Sequence, residues 1–476
     1  GFDPTKDTPI EILHTILLGV IKYIWHITHT PWSAQQKQTY SHRLQSTNTD
    51  GLTIHAIRSN YIMQYAGSLI GRQFKTIAQT NIFHVRDLVT EDQFSAWKAA
   101  GELAALLWFP EIRNLDEYRR DLKVAVANVL DIFATIDPSK IVTKIKYHLL
   151  VHTDEDVVQF GPLVGVATEA FEAFNGVFRY CSILSNHLAP SRDIALQLAD
   201  QEGLKHRLTG GRWPVEKGKT WARAGSGVRY FMADHPILQR LVGWTEDKVL
   251  KHGEFKLVSV KRGQREREKY ALKSTSAARA SDYGVHSPEL MWNKGIYVIS
   301  ESLDECRIES WVFAKSPSAQ DSSVISGQIS DILVDSAGIV LVVLERFQVL
   351  SSRDEIYGMP VLVRQNSGEA FSIVPAKNLK FKFNVQHDCH SGKCEATGVR
   401  LRMQERVESD QTENYIVHAS LDRFIINTHA FHNAHLLRAT LPRDLIAPIP
   451  LFPDREAKHH ELAVQLREHK AAAAAK

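Results

Sequence analysis

The sequence has only four cysteines in 476 residues, and of these only Cys389 and Cys394 lie close together. So low a density excludes a disulfide scaffold and predicts a reducing compartment. Long apolar runs are lacking too. The most apolar stretch, Ile10 to Ile27, is interrupted by Glu11, His14, Lys22 and His26. It reads as a buried helix, and no membrane association is expected. Asp3 and Asp7 stand where a secretory leader carries basic residues, and no small-residue cleavage site follows, so no leader is expected. Charge of one sign is also scarce. The formal net charge of +3 is nearly neutral and by itself says nothing about nucleic acid. What is present is an ordinary globular composition, 44% hydrophobic and 23% charged, in a chain long enough for two or three domains.

From Pro9 to about Gln201 apolar residues recur at spacings of three and four. Ile12-Ile16-Gly19-Val20-Tyr23 and Leu122-Val126-Val129-Ile132-Phe133 are examples, and they predict helices. Residues 205–290 break that pattern with Gly210-Gly211, Gly225, Gly227, the charge cluster Lys261 to Lys269 and a Ser/Ala-rich run, which predicts a linker or flexible arm. From Gly295 to about Ile446 come short β-branched or aromatic runs, such as Ile339 to Leu344 and Tyr415-Ile-Val-His, separated by turn signals. A small β barrel or sandwich fits this part. A helical tail over Asp454 to His469 completes the chain.

Two acidic and histidine-rich segments stand out. The first is Asp7-Thr-Pro-Ile-Glu11-Ile-Leu-His14-Thr-Ile-Leu-Leu-Gly19-Val, with an acid and a histidine three apart at a helix start. The second holds His148 and His152 at i, i+4, then Phe160-Gly-Pro162, Phe171-Glu172-x-x-Asn175 and Ala189-Pro190-x-x-Asp193-Ile194. On spacing alone such acids read as helix caps and such histidines as surface or packing residues. Taken in order, however, these motifs resemble those around the second and third catalytic acids of CACTA-type transposases. The variant Asp-Thr-Pro-Ile-Glu-Ile-Leu-His is similar to fungal transposon-derived proteins of the Kyakuja-Dileera-Zisupton group.

That resemblance implies a ribonuclease-H-like core remnant with a large helical insertion, which with the small β-rich, barrel-like domain read from the pattern makes an α+β fold. The likeness gives core residues 1–33 and 146–205 and an insertion over 34–145; the residue pattern gives a basic linker over 206–290, a β-rich domain over 291–450 and a tail over 451–476. Glu11 and Glu172 would hold Mg²⁺ or Mn²⁺ in a two-ion site, with Asp7 the alternative to Glu11 and with His14 and His148 beside them. Glu11 stands where the plant-type motif has Asp, and the first acid would precede residue 1. The expected partners are DNA and chromatin, in the nucleus, with self-association as a dimer. The alternative expectation is a domesticated binding protein without strand cleavage.

Two further features are independent of that likeness. Cys389 and Cys394 flank a Ser-Gly turn at a spacing that lets both thiols reach one ion. His387 and, from the downstream cluster of His429, His432 and His435, His432 are the candidate partners for a structural Zn²⁺, with the fourth ligand open. Arg207, Arg212, Lys217, Lys219, Arg223 and Arg229 interleave with Trp213 and Trp221 over a Gly-rich stretch. Such a surface can neutralise phosphates and stack unpaired bases, and its plain alternative is a solvated connector.

Overall fold

The computed structural model describes residues 3, 6–242, 250–260, 266–282, 286, 290–317, 323–366, 370–402 and 410–474. It divides into two compact units, residues 1–166 with 251–476, and residues 167–250.

The first 166 residues are helical, as their spacing predicts. A π-helix over Leu13–Ile21 runs into α1 (Lys22–His29). After it come α2 (Ala34–Gln45), α3 (Ser59–Gln64), α4 (Gly71–Thr80), α5 (Glu91–Leu107), α6 (Leu115–Ile136), α7 (Pro138–Thr143), α8 (Ile145–Leu149) and α9 (Thr153–Phe160). Capping boxes, Ser33 with Gln36 and Thr90 with Gln93, start α2 and α5 by satisfying amides that a helix start otherwise leaves without partners. The helical spacing then buries Phe94, Trp97 and Leu103 of α5 with Leu122, Val129 and Phe133 of α6. The side chain of Lys146, from α8, lies against the backbone of the π-helix. Its Nζ donates to the carbonyls of His14 at 2.7 Å and Leu18 at 3.0 Å. Gly19 makes room for it, since a Cβ there would sit 2.7 Å from Lys146 Cδ.

The second unit holds α10 (Glu169–Ile183), α11 (Pro190–Leu208), a hairpin of β1 (Arg212–Val215) and β2 (Thr220–Arg223), α12 (Ser226–Ala233) and α13 (Pro236–Leu241). Residues 212–241 therefore fold into regular elements where the sequence predicts a linker. Gly210, one of the glycines that suggested a connector, takes a positive φ of 92° just before β1, and Gly218 takes one of 85° in the hairpin turn.

The rest of the first unit is built on antiparallel strands. They are β3 (Phe255–Leu257), β4 (Lys269–Ala271), β5 (Met291–Ile299), β6 (Glu305–Arg307), β7 (Trp311–Lys315), β8 (Val324–Val334), β9 (Val340–Arg353), β10 (Pro360–Arg364), β11 (Phe371–Pro375), β12 (Leu379–Lys382), β13 (Val385–His387), β14 (Glu395–Leu401), β15 (Thr412–Val417) and β16 (Arg423–Ile426). Helices α14 (Ala434–Thr440), α15 (Arg443–Ile446) and α16 (Arg455–Ala474) follow. Strands β8 and β9 pair along most of their length, and each changes its outer partner midway. β8 passes from β7 to β5, and β9 from β11 to β10. Ser330 is the extra residue of a bulge between the pairs Ile329–Leu344 and Asp331–Val343, and a bulge bends its strand. The sheet therefore forks, and among the described residues it does not close into the barrel expected from the sequence.

Both faces of the fork are buried, which is why β9 begins as an unbroken apolar run. Leu341 and Val343 pack with Trp292 and Phe371, whereas Val342 and Leu344 pack with Val298 and Ile332. A third, aromatic core of Trp311, Phe313, Phe347, Phe381 and Phe424 lies under Leu437 and Leu445 of α14 and α15.

The helical part and the sheet form one unit, in contrast to the separate segments 34–145 and 291–450 expected from the sequence. Polar contacts between residues more than 300 positions apart, one of them fully buried, join the first helices to the sheet and to the helices that follow it. Asn427 Nδ2 donates to the Gln79 carbonyl at 3.0 Å, Arg443 forks onto Asp121, and Arg455 forks onto Asp131. Gly101 of α5 abuts the ring of buried His429, and a Cβ at Gly101 would fall 2.1 Å from Nδ1. Gly101→Ala should therefore destabilise the chain by about 1–3 kcal/mol through overpacking, despite the better helix propensity of alanine. Chemical denaturation checks this, and His429→Ala in the same chain should recover part of the loss.

Candidate metal centre and nucleic-acid interface

One group of side chains in the sheet region has metal-ligating chemistry. His387, Cys389, Cys394 and His418 each offer an atom, and these atoms all lie within 4.8 Å of one another. Three sequence features assemble the group. His387 ends β13, where it pairs with Phe424 of β16. The loop after it folds back, with the Cys394 amide donating to the Cys389 carbonyl at 3.1 Å. Asp388 fixes that loop by accepting the Ser391 amide at 3.0 Å and Arg423 Nε at 2.7 Å. Cys394 then directly precedes β14 and His418 directly follows β15, and the pair Glu395–Val417 brings the two together at the hairpin base. Gly392 lets the loop close on the group, because a Cβ there would meet Cys394 Sγ and His387 Cε1 at 3.1 Å.

The distances are those of a coordination shell. Cys389 Sγ lies 3.5 Å from His387 Nδ1 and 3.6 Å from His418 Nδ1, and Cys394 Sγ lies 3.6 Å from His387 Nδ1. A tetrahedron with Zn–S of about 2.3 Å and Zn–N of about 2.05 Å separates sulfur from nitrogen by about 3.5–3.6 Å. His387 Nε2 contacts the Ser420 carbonyl. As Nε2–H is the donor in that contact, the Nδ1 lone pair faces the thiols. Burial, with His387 adding to it, pushes His418 down to about 4, so its imidazole is neutral near neutral pH. Burial and the neighbouring Cys394 push the Cys389 thiol up to about 12. A bound cation reverses that preference and favours the thiolate. The arrangement is compatible with a structural metal such as zinc.

Of the ligands expected from the sequence, the structure brings together Cys389, Cys394 and His387, and it corrects the fourth. His432 lies elsewhere, with Nε2 2.6 Å from Oδ1 of buried Asp304, a carboxylate that also accepts Asn433 Nδ2 at 2.7 Å and the Lys382 amide at 2.8 Å. His429 is buried against α5, where desolvation pushes it down to about 3. His418 was missed although its strand was expected. The signal for it lay in the β14–β15 register, which a linear spacing does not display.

The acidic motif residues and their histidines make contacts within the chain. Glu11 caps the π-helix start: Oε1 accepts the Leu13 amide at 2.9 Å, and Oε2 accepts the His14 amide at 2.7 Å and contacts His14 Nδ1 at 2.7 Å. Asp7 accepts the Asp3 amide at 2.6 Å and Gln159 Nε2 at 3.1 Å. His148 and His152 face each other, Nε2 to Nε2, at 3.4 Å. Glu172 belongs to the second unit, in the first turn of α10, where Oε2 accepts Asn175 Nδ2 at 3.1 Å.

The basic stretch is ordered around the β1–β2 hairpin. The pairs Arg212–Arg223 and Pro214–Trp221 put these four residues on one face, and all four are exposed. Trp213 and Ala222 share the other face, with the Arg207 guanidinium 5.6 Å from the Trp213 ring. Lys219 is exposed in the turn, while the side chains of Lys217 and Arg229 lie outside the described residues.

A family model described as a domain of unknown function (DUF8590) matches residues 255–446, the stretch from β3 to α15 that contains all four metal-group residues. Neither a curated protein nor a solved structure matches the chain.

If Glu11 acts as a cap, Glu11→Ala should lower unfolding stability by about 0.5–2 kcal/mol, as loss of a helix cap does, and Glu11→Gln should lower it less. Equal stability of all three proteins in urea titration would remove the capping role.

Proposed function

We propose that this chain is a transposase-related DNA-binding protein of the nucleus, in which the stretch from Lys205 to Arg223 holds DNA and the His/Cys group holds a structural Zn²⁺. The observation that carries the DNA part is positive charge without counter-charge. Between Lys205 and Arg223 the sequence places six Lys and Arg against one acid, Glu216. Among the described side chains of that stretch only Lys205 forms an ion pair, with Glu202 at 3.2 Å. A polyanion supplies the missing charge and releases its own counterions on binding.

The order of the transposase-like motifs supports kinship with those enzymes, and with it a ribonuclease-H-like ancestry for the segments around Glu11 and Glu172. The use made of Glu11 favours a binding protein over a nuclease. Its two carboxylate oxygens accept helix-start amides, a role that competes with holding Mg²⁺ or Mn²⁺. For the second ion, two thiols and two imidazoles make a closed set with no position left for substrate, which supports a structural and not a catalytic zinc. The zinc would tie the base of the β14–β15 hairpin to β13.

DNA affinity measured across a salt series tests the first part. Binding should fall steeply with salt, without Mn²⁺-dependent nicking. Failure to bind duplex or single-stranded DNA at low salt overturns it, and nicking abolished by Glu172→Gln would reinstate the enzyme. Metal analysis tests the second part. The chain should carry about one zinc, as one four-ligand site requires. Cys394→Ser and His418→Ala should lose it and His432→Ala should keep it. A chain that takes up no zinc on reconstitution has no such site.

A further inference from the structure

We propose that the outer face of the β1–β2 hairpin is a platform for single-stranded nucleic acid, on which Trp221 stacks against an unpaired base while Arg212 and Arg223 engage phosphates. This rests on the DNA-binding reading above and names the form of nucleic acid that the surface takes.

The register carries the argument. Arg212 sits directly opposite Arg223, and Pro214 directly opposite Trp221, so two guanidiniums and one indole share a face. Like charges directly opposite each other destabilise a strand pair. Among the described residues neither guanidinium has an acidic partner that would offset this, and a bound phosphate chain would do so. The two indoles of the hairpin also differ in use. Trp213, on the inner face, is partly buried and has the Arg207 guanidinium over its ring. Trp221 leaves 64% of its surface exposed. A large aromatic left in water beside uncompensated cations is the combination that single-strand binders use, a basic track with a stacking ring.

The same geometry disfavours duplex as the best ligand. In a duplex the base faces are covered by their neighbours, so an indole on a flat ribbon finds no free π-face. Sequence reading in a groove needs several polar groups directed at base edges. This face carries one indole N–H and two guanidiniums, which suits backbone contact and stacking better. The short turn, with Glu216 at φ 50° and Gly218 at φ 85°, keeps the two strands in this register without a long loop across the face.

The test uses the whole chain and fluorescence anisotropy with a labelled oligo(dT) and a duplex of equal length. The platform predicts tighter binding of oligo(dT). Trp221→Ala should weaken it about tenfold or more, as loss of a stacking aromatic does, and Trp221→Phe, which keeps a ring, should restore most of the affinity. Arg212→Gln and Arg223→Gln should each flatten the slope of log affinity against log salt by about 0.7, the value for one phosphate on a single strand. Lys315→Gln, a surface cation of the other unit, should change neither. Duplex bound as tightly as oligo(dT), with no response to Trp221→Ala, overturns the platform but leaves DNA binding standing. Binding to neither ligand at low salt overturns both.

Discussion

Four buried amide side chains hold the first unit together. Asn384 Oδ1 accepts from Gln386 Nε2 at 2.8 Å and from Asn427 Nδ2 at 2.9 Å, so neighbouring strands of the sheet are locked side chain to side chain. Asn384 Nδ2 donates to the Asn48 and Asp50 carbonyls at 2.9 and 2.7 Å, and Gln386 Nε2 donates to Asn48 at 2.7 Å. Gln79 completes the junction by accepting the Phe431 amide at 2.8 Å through its side chain. An unsatisfied buried amide costs about 1–3 kcal/mol, so this junction tolerates only one register between helices and sheet. It also fixes the metal group. Gln386 binds the segment after α2, and the next residue, His387, turns the opposite way along β13 toward the two cysteines.

The metal group extends the same logic to a weaker element. β14 and β15 form a two-stranded sheet of their own, a structure that is marginal in water without further support. It receives support at two places. Arg400 Nη2 donates to the Gln45 carbonyl at 3.1 Å and the Ile416 amide donates to Ser46 Oγ at 2.8 Å, which seats it on the end of α2. At its base Cys394 lies 3.6 Å from His387 and His418 lies 3.6 Å from Cys389, where a bound metal would anchor it. The amide junction, the end of α2 and the His/Cys group are thus adjacent parts of one scaffold, while the basic hairpin rests on its own contacts in the second unit.

Much of the scaffold was legible in the sequence because its causes are local. Helical spacing marked α6, and the apolar run at Ile339 marked β9. Cys389, Cys394 and His387 were legible as candidate ligands because one short segment carries all three. His418 was not, since only strand pairing brings it to Cys394, and His432 was misplaced because its partner, Asp304, is 128 residues away. The hairpin at Arg212 read as a linker because Gly210-Gly211, Gly225 and Gly227 flank it, and its two faces emerge only from the register. Motif order pointed to Glu11 but does not display the helix-start amides that its carboxylate meets.

The most direct measurement of the functional account is a map of ultraviolet crosslinks between the whole chain and a photoreactive oligonucleotide, read by mass spectrometry of the digested adducts. The account predicts adducts concentrated between Lys205 and Arg223, with Trp221 among the modified residues. Adducts confined to residues 1–166 or 255–446, with the hairpin unmodified, would contradict it.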